Sequence, residues 1–152
     1  MDEKYLVFNV RDKRYALPSK LISEVAVSEK VFPLPLVPDY VRGIINRYSV
    51  PYALIDLSFL LLKERSAARK VIVLKEEVDK LAFLIDDVAD IADLPPLKLM
   101  KIEQEENAAS GAAGNGLVSA FFEWKGSPVF CLDTGEIIGR IKQDFLLNRS
   151  DA

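Results

Sequence analysis

The chain has 152 residues, half of them hydrophobic and 28% charged, which is enough to bury a core without staples and too apolar for a disordered segment. It contains no histidine and one cysteine, Cys131, which excludes Ser/His/Asp and Cys/His triads, histidine general bases, internal disulfides and multi-cysteine zinc sites. Twenty basic against 23 acidic residues leave a formal charge of −3, so no nucleic-acid footprint is expected, and the composition leans toward binding over catalysis. The chain begins Met1-Asp2-Glu3-Lys4, without a charged-then-apolar leader, and its longest apolar runs fall far below the roughly 18 residues of a membrane span. With an unpaired thiol suited to a reducing compartment, the expected location is cytoplasmic, with no direct membrane insertion.

In chain order, Tyr5–Val10, the charged Arg11–Arg14 and Tyr15–Pro18 read as strand, polar turn and strand. Leu21, Ile22 and Val25 suggest a helical turn leading into a strand. Pro33, Pro35 and Pro38 forbid regular central structure, so an extended connector follows. Gly43–Arg47 and Val50–Ile55 predict a hairpin around Tyr48-Ser49, and Asp56 is placed to N-cap a short helix through Leu62. Lys70–Leu74 and Leu81–Ile85 flank a turn at Glu76–Asp79. Gly116–Phe122 and Pro128–Leu132 flank another at Lys125–Ser127. Asp133 with Glu136 forms a capping-box pattern, and Ile137, Ile138, Ile141 and Phe145 supply the apolar stripe of a C-terminal helix over about 134–147.

The second half repeats the order of the first. Pro51-Tyr-Ala-Leu-Ile-Asp56 and Pro128-Val-Phe-Cys-Leu-Asp133 share a pattern, and the offsets, about 66 residues for the first hairpins and 77 for the second, leave an insertion at Glu103–Asn115. That stretch, acidic and then Ala/Gly-rich, reads as a mobile surface loop. Two copies of a hairpin–hairpin–capped-helix unit imply two similar β lobes, one over about 4–66 and the other over about 67–135.

Asp86-Asp87-Val-Ala-Asp90 matches an Asp-Asp-x-x-Asp magnesium–diphosphate pattern, but carboxylates that converge on a helix diverge along a strand, so a solvated acidic face is expected. Cys131, between Phe130 and Leu132, reads as a buried inert thiol, and Trp124 as the cap of a barrel end. Gly111, Gly114 and Gly116 lack the context of a phosphate loop. No metal or cofactor is expected. Val41–Asn46 offers two readings: Gly43 as a backbone position needing an unusual φ beside a solvated Arg42, or a docking rim anchored by Arg42.

The series Tyr5-Leu-Val-Phe, Tyr15-Ala-Leu, Ile22-Ser-Glu24-Val25, Pro35, Asp39-Tyr-Val-Arg-Gly-Ile-Ile-Asn46, Leu54-Ile-Asp-Leu57 and Ala82–Ile91 closely resembles the CheW-like family of chemotaxis coupling proteins over roughly residues 4–140. The resemblance implies an all-β fold with short helices, built as two SH3-like five-stranded β-barrels around a shared core. It implies a non-catalytic adaptor that links chemoreceptor cytoplasmic tips to the regulatory domain of a chemotaxis histidine kinase, without cofactor. Partner contacts then fall on Ile22, Glu24, Arg42, Gly43, Asn46, Tyr48, Val71 and Ile91, and Arg42→Glu is expected to weaken capture without unfolding. Where the family usually has Asn-Leu-Arg-Gly, this chain has Asn46-Arg47-Tyr48-Ser49, so Arg47 is not expected to stand in for the family arginine. Two alternatives follow: a CheW-like scaffold with a different, non-receptor input, and, from another class, a small enzyme or ligand-binding double barrel.

Overall fold

The alternating apolar segments fold, in a computed structural model that describes residues 3–28, 30–94, 100–101 and 116–150, as short strands joined by tight turns. In order these are β1 (Glu3–Val10), β2 (Lys13–Pro18), a 3-10 turn (Ser19–Leu21), β3 (Ile22–Val27), β4 (Val41–Arg47), β5 (Val50–Asp56) and α1 (Leu57–Leu62). They continue with β6 (Lys70–Leu74), β7 (Leu81–Ile85), β8 (Asp87–Leu94), β9 (Met100–Lys101), β10 (Val118–Trp124), β11 (Ser127–Leu132) and α2 (Thr134–Ser150). The helical turn expected to lead into a strand is there as Ser19–Leu21, and the change to strand comes at Ile22, whose alternation with Glu24 and Ala26 is that of a strand. The stretch expected as a mobile loop, 103–115, lies outside the described residues.

Two sheets result, one in the order β8-β1-β2-β11-β10-β9 and the other β3-β6-β7-β5-β4. The two-residue β9 makes the first six-stranded where five strands were expected. Ladder pairing among the described residues leaves both rows open.

The internal repeat has a direct structural counterpart, but the two copies are intertwined. Hairpin β1–β2 pairs with β8 and, in parallel, with β11, all from the second half. Its counterpart β6–β7 pairs with β3 and, in parallel, with β5 of the first half. Each sheet therefore takes its leading hairpin from one repeat and its remaining strands from the other. The expected lobe division near residue 66 falls inside the five-stranded sheet. Hydrophobic pattern fixes which face of a hairpin is buried, and either copy could have satisfied it.

Strand alternation then splits the apolar residues between three clusters. Leu6, Phe8, Tyr15, Leu17, Ile55, Ile72, Leu74, Phe83 and Ile85 meet Leu57, Leu60, Ile137 and Ile141 of the helices in a shared core between the sheets. The opposite face of the six-stranded sheet gathers Tyr5, Val7, Ala16, Phe122, Val129 and Cys131. That of the five-stranded sheet gathers Ile45, Tyr52, Leu54, Val71, Val73, Ala82 and Leu84. Strands buried on both faces explain why β6 and β7 read as continuous apolar runs.

Both helices start on the expected aspartates. Asp56 accepts the Phe59 N–H at 3.3 Å, and Asp133 accepts the Glu136 N–H at 3.0 Å. The reciprocal half of the capping box is not used, since the Asp133 N–H donates to the Leu117 carbonyl at 2.7 Å. Tyr40 ties α2 to the body, its hydroxyl donating to Asp144 at 2.6 Å.

Candidate functional site

The five-stranded sheet brings its two edges together at one end, and most of the expected contact residues lie there. After β3 the chain crosses from β6 toward β4. The Ser28 N–H donates to the Arg69 carbonyl at 2.7 Å, and Phe32 exchanges both backbone hydrogen bonds with Ile44 at 2.8 Å. This approach dictates Gly43. Its φ is +138°, and a Cβ there would collide with the Phe32 carbonyl oxygen. Gly43 is thus the residue that lets connector and strand touch.

Arg42 is neither a solvated charge nor a free anchor. Its Nη1 donates to Asp56 Oδ2 at 3.2 Å and to the Ser66 carbonyl at 3.3 Å. Its side chain is 35% exposed, whereas that of Asp56 is 1% exposed. Asp56 also accepts the Ser66 N–H at 3.0 Å and caps α1. Burying a carboxylate is costly unless a positive partner and hydrogen-bond donors surround it, as Arg42, Ser66 and Phe59 do here. This geometry argues against the expectation that Arg42→Glu leaves folding intact, because the substitution sets two carboxylates against each other.

Glu24 and Arg47, both half-buried, form one cluster with the exposed Tyr48. Arg47 Nε donates to Glu24 Oε1 at 2.6 Å, the Tyr48 hydroxyl donates to Glu24 Oε2 at 3.3 Å, and the Arg47 guanidinium lies 5.4 Å from the Tyr48 ring centroid. The Arg47 hydrogen bond holds the Glu24 carboxyl below its usual range. Tyr48 and Ser49 form the two-residue turn between β4 and β5 with φ of 52° and 66°, the pattern of a type I′ hairpin that prefers Asn-Gly. Tyr48 is 84% exposed despite that strain. Sequence reasoning set Arg47 aside, and its neighbour across the edge, Glu24, is what makes it part of the cluster.

The remaining expected contacts separate. Asn46 is exposed beside this cluster, while Ile22 at the start of β3 is half-buried against the shared core. Ile91, 57% exposed, lies on the other sheet, on its edge strand β8. Val71 is fully buried in the cluster behind the five-stranded sheet and offers no exposed side chain, which corrects its reading as a contact. Alternation explains this, since Val71 and Val73 share one face of β6 and Ile72 and Leu74 the other.

Two concavities flank residue 28. One, of about 270 Å³, is lined by Ala26, Val27, Ser28, Lys30, Phe32, Ile45, Asn46, Arg47 and Val71. The second, of about 420 Å³, is lined by Ser28, Val31, Pro33, Arg42, Leu54, Ala68, Arg69 and Leu84. The sequence pointed to the Arg42-Gly43 rim but not to Lys30, Phe32 and Arg69, which become neighbours only through the fold.

The acidic run begins just before β8 and continues along it, and Asp87 and Asp90 are paired with cations. Asp86 accepts the Arg11 backbone N–H, Asp87 pairs with Lys70, and Asp90 pairs with Lys125 at 2.7 Å and accepts the Trp124 indole N–H at 3.0 Å. Lys125 and Trp124 hold the Asp90 carboxyl down to about 2. Trp124 leans on the cluster behind the six-stranded sheet. Burial pushes the Cys131 thiol up to about 12, which disfavours the thiolate that nucleophilic chemistry needs.

Comparison with known proteins bears on the whole arrangement. The scaffolding protein TtCheW from Thermoanaerobacter tengcongensis has a similar crystal structure, with a TM-score of 0.76 and 16% identity, covering 88% of this chain and 85% of that one. At this identity the likeness speaks for the fold. No curated protein matches the chain in sequence. The CheW-like domain family matches residues 4–142, nearly the whole chain. The protein belongs to the CheW-like domain family.

Proposed function

We propose that the protein is a non-catalytic adaptor that couples chemoreceptors to a chemotaxis histidine kinase, and that it works by contact in the cytoplasm. The observation that carries this reading is the family match over residues 4–142. The likeness to a protein described as a scaffold supports it, as does the absence, among the described residues, of a helix long and apolar enough to cross a membrane. Its partners in this reading are the regulatory domain of the kinase and the cytoplasmic tip of a receptor. The contacts are Ile22, Glu24, Asn46, Tyr48 and Ile91. Arg42, Gly43 and Val71 act from beneath, by keeping that surface in shape.

A second reading has the same adaptor bind the kinase while taking its input from something other than a receptor. It is favoured by the turn itself, where Tyr48-Ser49 stand in place of the second Arg-Gly pair and Arg47 is engaged by Glu24. Calorimetric titration with the kinase regulatory domain and with a soluble receptor tip, both from the same cell, separates the two. The first reading expects heat with both partners, and loss of receptor binding in Ile91→Asp with an unchanged melting temperature. Binding to the kinase domain alone selects the second reading. A folded protein that binds neither removes both.

A further inference from the structure

The chain carries a net negative charge, yet the two concavities beside residue 28 hold Lys30, Arg42, Arg47 and Arg69 and no carboxylate among their described lining residues. Two of these cations are already engaged, Arg42 by Asp56 and Arg47 by Glu24. Arg42 uses only Nη1 for its bonds, however, and Lys30 and Arg69 have no ion-pair partner among the described residues. Two cations, Lys30 and Arg69, are thus left at the hollows without an ion-pair partner among the described residues, in a chain whose net charge is negative.

The ground between the cations is apolar and exposed. Val27, Val31, Phe32 and Leu34 all present surface to solvent, and Leu54 and Leu84 form the floor of the larger hollow. The described parts of the ridge are tied to the sheet, Ser28 to Arg69 at one end and Phe32 to Ile44 at the other. A pre-ordered surface loses little entropy on binding.

We propose that this ridge, Ala26–Ser28 with Lys30–Pro33, is a docking site for an acidic, apolar segment of a partner protein, whose carboxylates reach Lys30 and Arg69 while an apolar side chain lies between. A protein segment fits better than a small anion, because one small anion fills a single hollow and leaves the apolar ridge uncovered. It fits better than a nucleic acid, because phosphates have no use for exposed valine and phenylalanine side chains. The contact adds to the adaptor surface described above and does not require a receptor or a kinase as the partner.

The test uses the full chain and a fluorescent acetylated hexapeptide, Glu-Glu-Leu-Phe-Glu-Glu, followed by anisotropy, with amide shifts mapping the site. Binding is expected to weaken as salt rises and to fall about tenfold in the double variant Lys30→Glu/Arg69→Glu, whose exposed side chains leave the melting temperature unchanged. Shifts are expected in residues 26–33, 42–47 and 66–69. The proposal is overturned if the peptide does not bind, if the variant binds it equally, if Glu-Glu-Ser-Ser-Glu-Glu binds as well, or if a short single-stranded DNA binds more tightly. Titration of the kinase domain in parallel keeps the two ideas apart, since its binding can persist while the peptide site fails, or the reverse.

Discussion

Arg42 shows how one residue changes meaning when its neighbours are known. As part of an Arg-Gly pair it reads as a surface anchor, but its guanidinium neutralises Asp56, which is almost wholly buried and serves as the cap of α1. Arg42→Glu is expected to lower unfolding stability by about 2 kcal/mol or more in urea denaturation, because a buried carboxylate loses its partner and gains a like charge. An unchanged midpoint would mean that Asp56 is held by the Ser66 and Phe59 N–H groups alone. Tyr15 is the opposite case. Its hydroxyl is buried with no hydrogen-bond partner among the described residues, so Tyr15→Phe is expected to hold stability constant or raise it by about 1 kcal/mol. A marked loss in thermal melts would reveal a partner for that hydroxyl. The capping role of Asp56 was legible from its place before an apolar run. Its burial and its arginine were not, because they depend on the parallel pairing of β5 with the distant β7 and on the register shift between Val41 and Gly43 in the β4–β5 ladder.

Elements were legible where local chemistry decides them. The proline-rich connector, the Asp-capped helices and the hairpins all follow from residues close in sequence. The turn between β4 and β5 lies at Tyr48-Ser49 as expected, although two non-glycine residues occupy left-handed conformations there. Replacing Tyr48-Ser49 by Asn-Gly is expected to stabilise the protein by about 1 kcal/mol in denaturant titrations, and to weaken partner binding if Tyr48 is a contact. Strain retained at an exposed tyrosine is reasonable when the residue works on a surface. Gly43→Ala is expected to destabilise by about 2 kcal/mol or more, as positive φ and the Phe32 backbone both resist a Cβ. If Gly43→Ala melts like the parent, the connector is free to move away from β4.

At the scale of the molecule, several weak acids are held in their neutral forms by burial. Tyr5, Tyr15 and Cys131 are pushed up to about 12 from ordinary values of 9 to 10, and Tyr40 is also raised, first by burial and then by its bond to Asp144. The folded chain therefore keeps these protons more tightly than the unfolded chain. The stability they contribute is complete below pH 9 and is lost as pH rises toward about 12. Spectroscopic titration is expected to show three of the five tyrosines ionising late, together with alkaline unfolding, and the Cys131 thiol is expected to react with disulfide reagents only as the protein opens. Early titration of all five tyrosines would show that the core admits water. The duplication, the mainly β class and the family were determined by the sequence alone, because periodicity, turn chemistry and ordered motifs are local or linear properties. Only the tertiary structure decided that the repeats exchange hairpins, that Arg42 serves a buried Asp56, and that Lys30, Phe32 and Arg69 share one ridge. Those outcomes depend on which distant strands pair, and a hydrophobic pattern is equally satisfied by either copy of the repeat.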